Sequence, residues 1–159
     1  MTAYDVFAAL RGDQGDWARD RTREAEEIAV LLDNIAKGVV WKEKDDEDRS
    51  SWRVMEDEEE SEQDLDQVFL YDYLDENFGV WCTVDDAGEV TGVRILTTCN
   101  GPDTYIDSNS EAVEIEWGGH FEFPLSEKAI DALNAWGQEY FGFILDKKLN
   151  EMMGRNRRW

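Results

Sequence analysis

At 159 residues, with 42% hydrophobic and 12% aromatic residues, the chain carries enough apolar surface for a single folded core, which excludes a disordered acidic tail. Its 38 acids against 16 lysines and arginines give a formal net charge of −22, which excludes direct binding of nucleic acid through a basic face. No apolar run approaches the roughly 20 residues of a membrane span, and Met1 to Leu10 lack a signal peptide's basic start, so a cytoplasmic protein with no membrane partner is expected.

In chain order, Trp17, Arg21, Ala25, Ile28, Leu31, Leu32 and Ile35 recur every three to four residues and stop at Gly38. This predicts an amphipathic helix from Asp16 with a glycine cap, and a shorter helix around Tyr4–Leu10 is a candidate to precede it. Residues 43–60 form an acidic insertion, because blocks such as Asp45–Asp48 and Glu56–Glu60 resist packing. Trp52, Val54 and Met55 inside it read equally as a short strand or anchor and as incidental residues of a flexible linker. Ser61-Glu62-Gln63-Asp64 then predicts a helix start, with Leu65, Phe69, Leu70, Tyr73, Leu74 and Phe78 as its apolar face up to Gly79.

The period then changes to two. Val80–Val84, the Asp85–Gly88 turn and Val90–Cys99 predict a β-hairpin with Val80, Cys82 and Val84 on one face. Thr104–Ile106, Ala112–Trp117 and His120–Pro124 extend it as an antiparallel meander. Ser126 caps a final helix through Ile130, Leu133 and Trp136, in which Gly137 and Gly142 leave a kink or a second helix open. Residues 154–159 read as a basic tail. The order predicts a single α+β domain: an antiparallel sheet of four to five strands with N-terminal and C-terminal helices on one face and water on the other. Trp81, Trp117 and Trp136 fall at core positions, whereas Trp41, Trp52 and Trp159 flank charged segments as candidate interface anchors.

The acids define two zones. Residues 43–66 carry 13 acids and three bases, and residues 67–146 carry 16 acids and two bases, Arg94 and Lys128. Self-repulsion on this scale opposes compaction, so a folded protein that keeps it uses it for solubility, salt tolerance or recognition. In the strand Ala112–Trp117, alternation turns Val113, Ile115 and Trp117 inward and Glu114 and Glu116 outward. With Phe121 and Phe123 inward on the next strand, a loop of Gly118, Gly119 and His120 sets Glu116 directly against Glu122, a like-charge pair that core stability does not favour. This outward face supplies the rigid candidates for partner binding: Glu114, Glu116, Glu122, Asp103 and Asp107, with Asp72, Asp75 and Glu76 on the preceding helix. The looser zone supplies Glu56, Asp57, Glu58, Glu59 and Glu60, with Trp52 as its anchor.

No motif specifies chemistry. Cys82 and Cys99 have neither CxxC spacing nor the number for a disulfide framework and read as small buried hydrophobes. His120 lies near Glu122 but has no nucleophile or orienting partner. Asp85-Asp86-Ala87-Gly88-Glu89 lacks the 12-residue ligand pattern of an EF-hand, and no P-loop, GxGxxG, GxSxG or HExxH occurs. No catalytic residue, metal site or cofactor is therefore expected.

The stretch Asn100-Gly101-Pro102-Asp103-Thr104-Tyr105-Ile106-Asp107, followed by Ala112 to Gly119, resembles a segment of small proteins carried by phages and plasmids. The acidic α+β character of the whole chain is similar to that of DNA-mimic inhibitors of restriction and CRISPR systems. The local resemblance covers about 20 residues and transfers no functional residue. It implies a mobile-element inhibitor in the host cytoplasm whose partner is a basic nucleic-acid-binding protein or complex, with homodimerisation left open. Two alternatives stand beside it: a housekeeping protein of a halophile, and a small metal-dependent enzyme.

Overall fold

The computed structural model describes residues 3–56 and 64–156 and shows an α+β architecture of two antiparallel sheets flanked by an N-terminal and a C-terminal helix. Helix α1 runs from Ala3 to Ala36 without a break. The separate first helix expected around Tyr4–Leu10 is therefore absorbed into it. Gly12 and Gly15 each cost about 1 kcal/mol relative to alanine, but neither is joined by a proline or a cap that would stop the helix. Ala25, Ala29, Leu32 and Ile35 make its buried stripe. It ends as expected at Gly38, whose φ of 75° is the left-handed value a glycine accepts without cost.

Residues 43–56 of the acidic insertion form more regular structure than their composition suggests. Strands β1 (Val40–Glu43), β2 (Arg53–Val54) and β3 (Leu65–Gln67) form a small sheet in the order β2-β1-β3. Met55 N–H donates to Val39 O at 2.8 Å and Val68 N–H to Val40 O at 2.8 Å, which ties the chain just after β2 and just after β3 to the start of β1. Leu65–Gln67 is thus strand rather than helix, and only Leu70–Leu74 (α2) is helical. Pairing with β1 overrides the helical spacing of Leu65 and Phe69. Tyr73 and Leu74 are buried, while Phe69 and Phe78 are exposed. Ser61–Gln63, the expected cap, and Asp57–Glu60 lie outside the described residues.

The second sheet is the expected meander, in the order β4 (Gly79–Val84), β5 (Val90–Thr98), β6 (Asp103–Asp107), β7 (Ala112–Glu116) and β8 (His120–Pro124). Val93, Ile95, Ile106, Val113 and Ile115 are buried on the face that α1 and α3 cover. Their partners in the same core include Leu32, Val40, Val68 and Leu133, so one apolar cluster joins the small sheet to the large one. Trp136 packs against it, but Trp81 is 54% exposed and Trp117 is 43% exposed. Trp81 pairs with Arg94 on the uncovered face, and Trp117 leaves the strand to enter the loop before β8. Cys82 and Cys99 are free and half-buried.

Helix α3 runs from Glu127 to Asn156 as one piece, capped by Ser126 Oγ, which accepts Ala129 N–H at 3.2 Å. The residues 154–156 expected in a basic tail belong to this helix, and 157–159 lie outside the described residues. Gly137 does not break the helix; it lets the helix approach β5. A Cβ built there would sit 2.3 Å from Val93 Cγ1. No helix among the described residues is long and apolar enough to cross a membrane.

Candidate functional site

Two acidic surfaces emerge, and the fold treats them differently. The first is the uncovered face of the large sheet, which carries Trp81, Arg94, Leu96, Asp103, Tyr105, Asp107, Glu114, Glu116, His120 and Glu122. The expected inward and outward assignment of Glu114, Glu116 and Glu122 holds, but the register is shifted by two residues. Trp117, Gly118 and Gly119 form the loop, Glu116 pairs with His120, and Glu122 opposes Glu114 rather than Glu116. Gly118 adopts φ 64°, and Trp117 N–H donates to Gly119 O at 3.0 Å, a closure that draws Trp117 out of the strand.

The like-charge opposition is thus real, and the chain offsets it with Arg94 and with the imidazole of His120. Arg94 Nη1 donates to Asp107 Oδ2 at 2.7 Å and to Glu114 Oε2 at 2.6 Å, with its guanidinium 3.9 Å from the Tyr105 ring centre. Asp107 is buried and also accepts the Asn109 and Ser110 N–H groups in the turn before β7. His120 Nδ1 bonds Glu116, while Nε2 lies 3.3 Å from Glu122 Oε2 and 3.7 Å from Glu114 Oε1. The Glu116 and Glu122 hydrogen bonds, in that order, hold the imidazole pKa above its ordinary value, since they favour the charged ring. Among the described residues, Glu114, His120 and Glu122 are also the group whose donor atoms lie within 4.8 Å of one another. An imidazole and two carboxylates suit a zinc or manganese ion, although Arg94 already holds one oxygen of Glu114.

The second surface is a cleft of about 690 Å³ between the β1–β2 loop and α2. It gathers Trp52, Asp72, Asp75 and Glu76 from the expected candidates and adds Lys42, Asp46, Glu47, Asp48, Arg49 and Tyr71. The loop is built around Asp46, whose carboxylate accepts Asp48 N–H at 2.9 Å and Ser51 N–H at 2.6 Å and also bonds Ser51 Oγ. The Ser51 hydrogen bond holds the Asp46 carboxyl well below the usual carboxylate range. Arg49 reaches across to donate to Tyr73 O at 2.7 Å and lies 5.3 Å from the Trp52 ring centre and 4.7 Å from that of Tyr73. Trp52 accordingly packs against the core rather than standing free as an anchor.

Of the two cations that line the cleft, one is neutralised within the chain. Lys42 pairs with Asp72 at 3.1 Å, and Asp72 also caps α2 by accepting Phe69 N–H at 2.8 Å. At the rim Glu47, Asp48, Asp75 and Glu76 are exposed, and among the described residues none of the four is in an ion pair. The chain thus uses Asp72, Asp107 and Glu114 for its own structure. It leaves Asp75 and Glu76 outward without an ion pair, while Glu116 and Glu122 are exposed but bonded to His120, Asp103 is half-buried and Glu56 is exposed beyond β2. Sequence reasoning missed Asp46, Arg49 and Arg94. The Asp46-Glu47-Asp48-Arg49-Ser50-Ser51 run carries the signal for the first two, since an acid followed closely by serines is the chemistry of a side-chain-closed turn. Arg94 is signalled by its isolation among acids.

Comparison of the chain with protein-family models, with curated proteins and with solved structures gave no match.

Proposed function

We propose that this protein is a binding protein for a basic, nucleic-acid-binding partner, and that it blocks the partner's DNA or RNA site by presenting carboxylates where phosphates would bind. A host defence protein of the restriction or CRISPR type is the kind of target this reading names. The observation that carries it is the cleft rim. Glu47, Asp48, Asp75 and Glu76 stand exposed and, among the described residues, in no ion pair, while Lys42 is paired with Asp72 and the exposed Arg49 is held by the Tyr73 carbonyl. Such a rim lies within roughly one Debye length of a docked cationic surface, which is about 8 Å at physiological salt, so its charges add rather than being screened apart. The side chain of Tyr71, also on the cleft, is exposed and offers rigid contact area at low entropic cost.

The sheet face contributes less to this reading than its acid count suggests. Arg94 engages Asp107 and Glu114, and His120 engages Glu116 and Glu122, so the acids at its centre already have partners within the chain. The test is retention of nucleic-acid-binding proteins from a bacterial lysate on the immobilised chain at about 50 mM salt, with release at about 200 mM salt or by added duplex DNA. The double variant Asp75→Lys with Glu76→Lys should retain far less while unfolding at an unchanged urea concentration. Retention that persists at the higher salt and alongside bound DNA would show that mimicry is the wrong mechanism.

A further inference from the structure

The large sheet has two edges, and they are built differently. β8 carries His120, Glu122 and Pro124 and has α1 packed against it. Charge and proline on the strand are means by which proteins keep an edge from pairing with a further strand. β4, from Gly79 to Val84, reads Gly-Val-Trp-Cys-Thr-Val, with no charge and no proline in a chain of which 34% of residues are charged. Among the described residues no strand lies beyond it. Alternate backbone N–H and C=O groups of β4 therefore point outward without a strand partner. A bulge falls between Thr83 and Val84 beside the turn, and Gly79 to Thr83 keep a regular register with β5.

The ends of this edge are acidic. Asp75 and Glu76 are exposed just before it, and Asp85, Asp86 and Glu89 just after. Antiparallel pairing of β4 with a second copy would set Asp75 and Glu76 of one chain beside Asp85 and Asp86 of the other, at both ends of the interface. Like charges so placed oppose self-association. A strand flanked by lysines or arginines meets attraction at both ends instead.

We propose that β4 accepts an extended, uncharged segment of a basic partner as a sixth strand of the sheet, with flanking lysines or arginines of that segment paired to the acids at its two ends. The main chain supplies affinity and the flanking charge supplies selection, as in other cases of strand addition. The identity of the occupant rests on the basic-partner reading above; the free edge does not.

The probe is a synthetic peptide of alternating threonine and valine with lysines at both ends, and its control carries glutamates in their place. Binding to the full chain is followed by peptide fluorescence anisotropy and by amide hydrogen exchange. The lysine-flanked peptide should slow exchange along β4, leave β8 unchanged and bind more tightly than the control. Trp81→Lys, which blunts the edge from the uncovered face without entering the core, should weaken that binding by about tenfold. Its urea midpoint shows whether the variant is folded, and the exchange pattern of the unaltered chain tests the proposal independently of it. Salt-sensitive binding of the lysine-flanked peptide with no change in β4 exchange would overturn strand addition and leave the electrostatic reading standing. Equal protection by both peptides would overturn the role of the flanking charge, and absence of binding by either would overturn the proposal as a whole. A concentration-dependent dimer that protects β4 would give the edge to a second copy and refute the basic occupant. Failure of the basic-partner reading shows separately, as lysate proteins whose retention duplex DNA does not reverse.

Discussion

Replacing Arg94 with methionine removes the cation at the centre of the uncovered sheet face while keeping most of its aliphatic stem. The guanidinium makes charge-assisted hydrogen bonds of 2.7 Å to Asp107 and 2.6 Å to Glu114, whose side chains are only 9% and 12% exposed. Each such bond contributes about 1.5–3 kcal/mol, so the two together bound the loss at about 3–6 kcal/mol. The Arg94 side chain is itself 34% exposed, so water reaches the orphaned carboxylates in part and the low end applies, about 3 kcal/mol. With a urea dependence of about 2 kcal/mol per molar, the unfolding midpoint of Arg94→Met should fall by about 1.5 M. Adding Glu114→Gln to the same chain removes one stranded charge and should recover a substantial part of that loss. A midpoint for Arg94→Met within error of the parent would refute the claim that the acidic face is held together by its own cation.

Two further substitutions test other joints of the structure. His120→Gln should cost stability only at lower pH. The folded-state pKa of His120 is raised above its ordinary value by Glu116 and Glu122, so its contribution is fully present below pH about 6.5 and is lost as pH rises through the folded value. With the ring 45% exposed the difference should stay under about 1 kcal/mol, read as the gap between parent and variant urea midpoints across a pH series. A gap that grows towards alkaline pH would contradict the ion-pairing described. Gly137→Ala should destabilise by about 1–3 kcal/mol despite alanine's better helix propensity, because its Cβ would meet Val93 Cγ1 at 2.3 Å. Gly142→Ala, with nothing within 4 Å of its Cβ position, should instead stabilise by up to about 1 kcal/mol. Thermal unfolding of the pair checks both, and a shift in the same direction for both would count against the close approach of α3 to β5.

The sequence by itself determined the elements whose signals are local and repeated. Alternation placed β7 and β8, with Val113 and Ile115 inward and Glu114, Glu116 and Glu122 outward, because a strand's side chains have a period of two whatever it pairs with. Helical spacing ending at Gly38, and Ser126 before the last helix, set one end of each long helix for the same reason. Tertiary structure alone decided what depends on contacts between distant residues. The β7–β8 register slipped by two, which preserved every inward and outward assignment but exchanged the partners of Glu116 and Glu122, since parity is fixed by the pleat and pairing by the loop. Leu65–Gln67 became strand because β1 was there to pair with it. Trp81 reads as core in one dimension and lies on the open face in three. Which acids remain available was decided the same way. Asp72, Asp107 and Glu114 are indistinguishable from Asp75 and Glu76 in sequence, and only the folded positions of Lys42 and Arg94 divide those that hold the chain together from those that face outward.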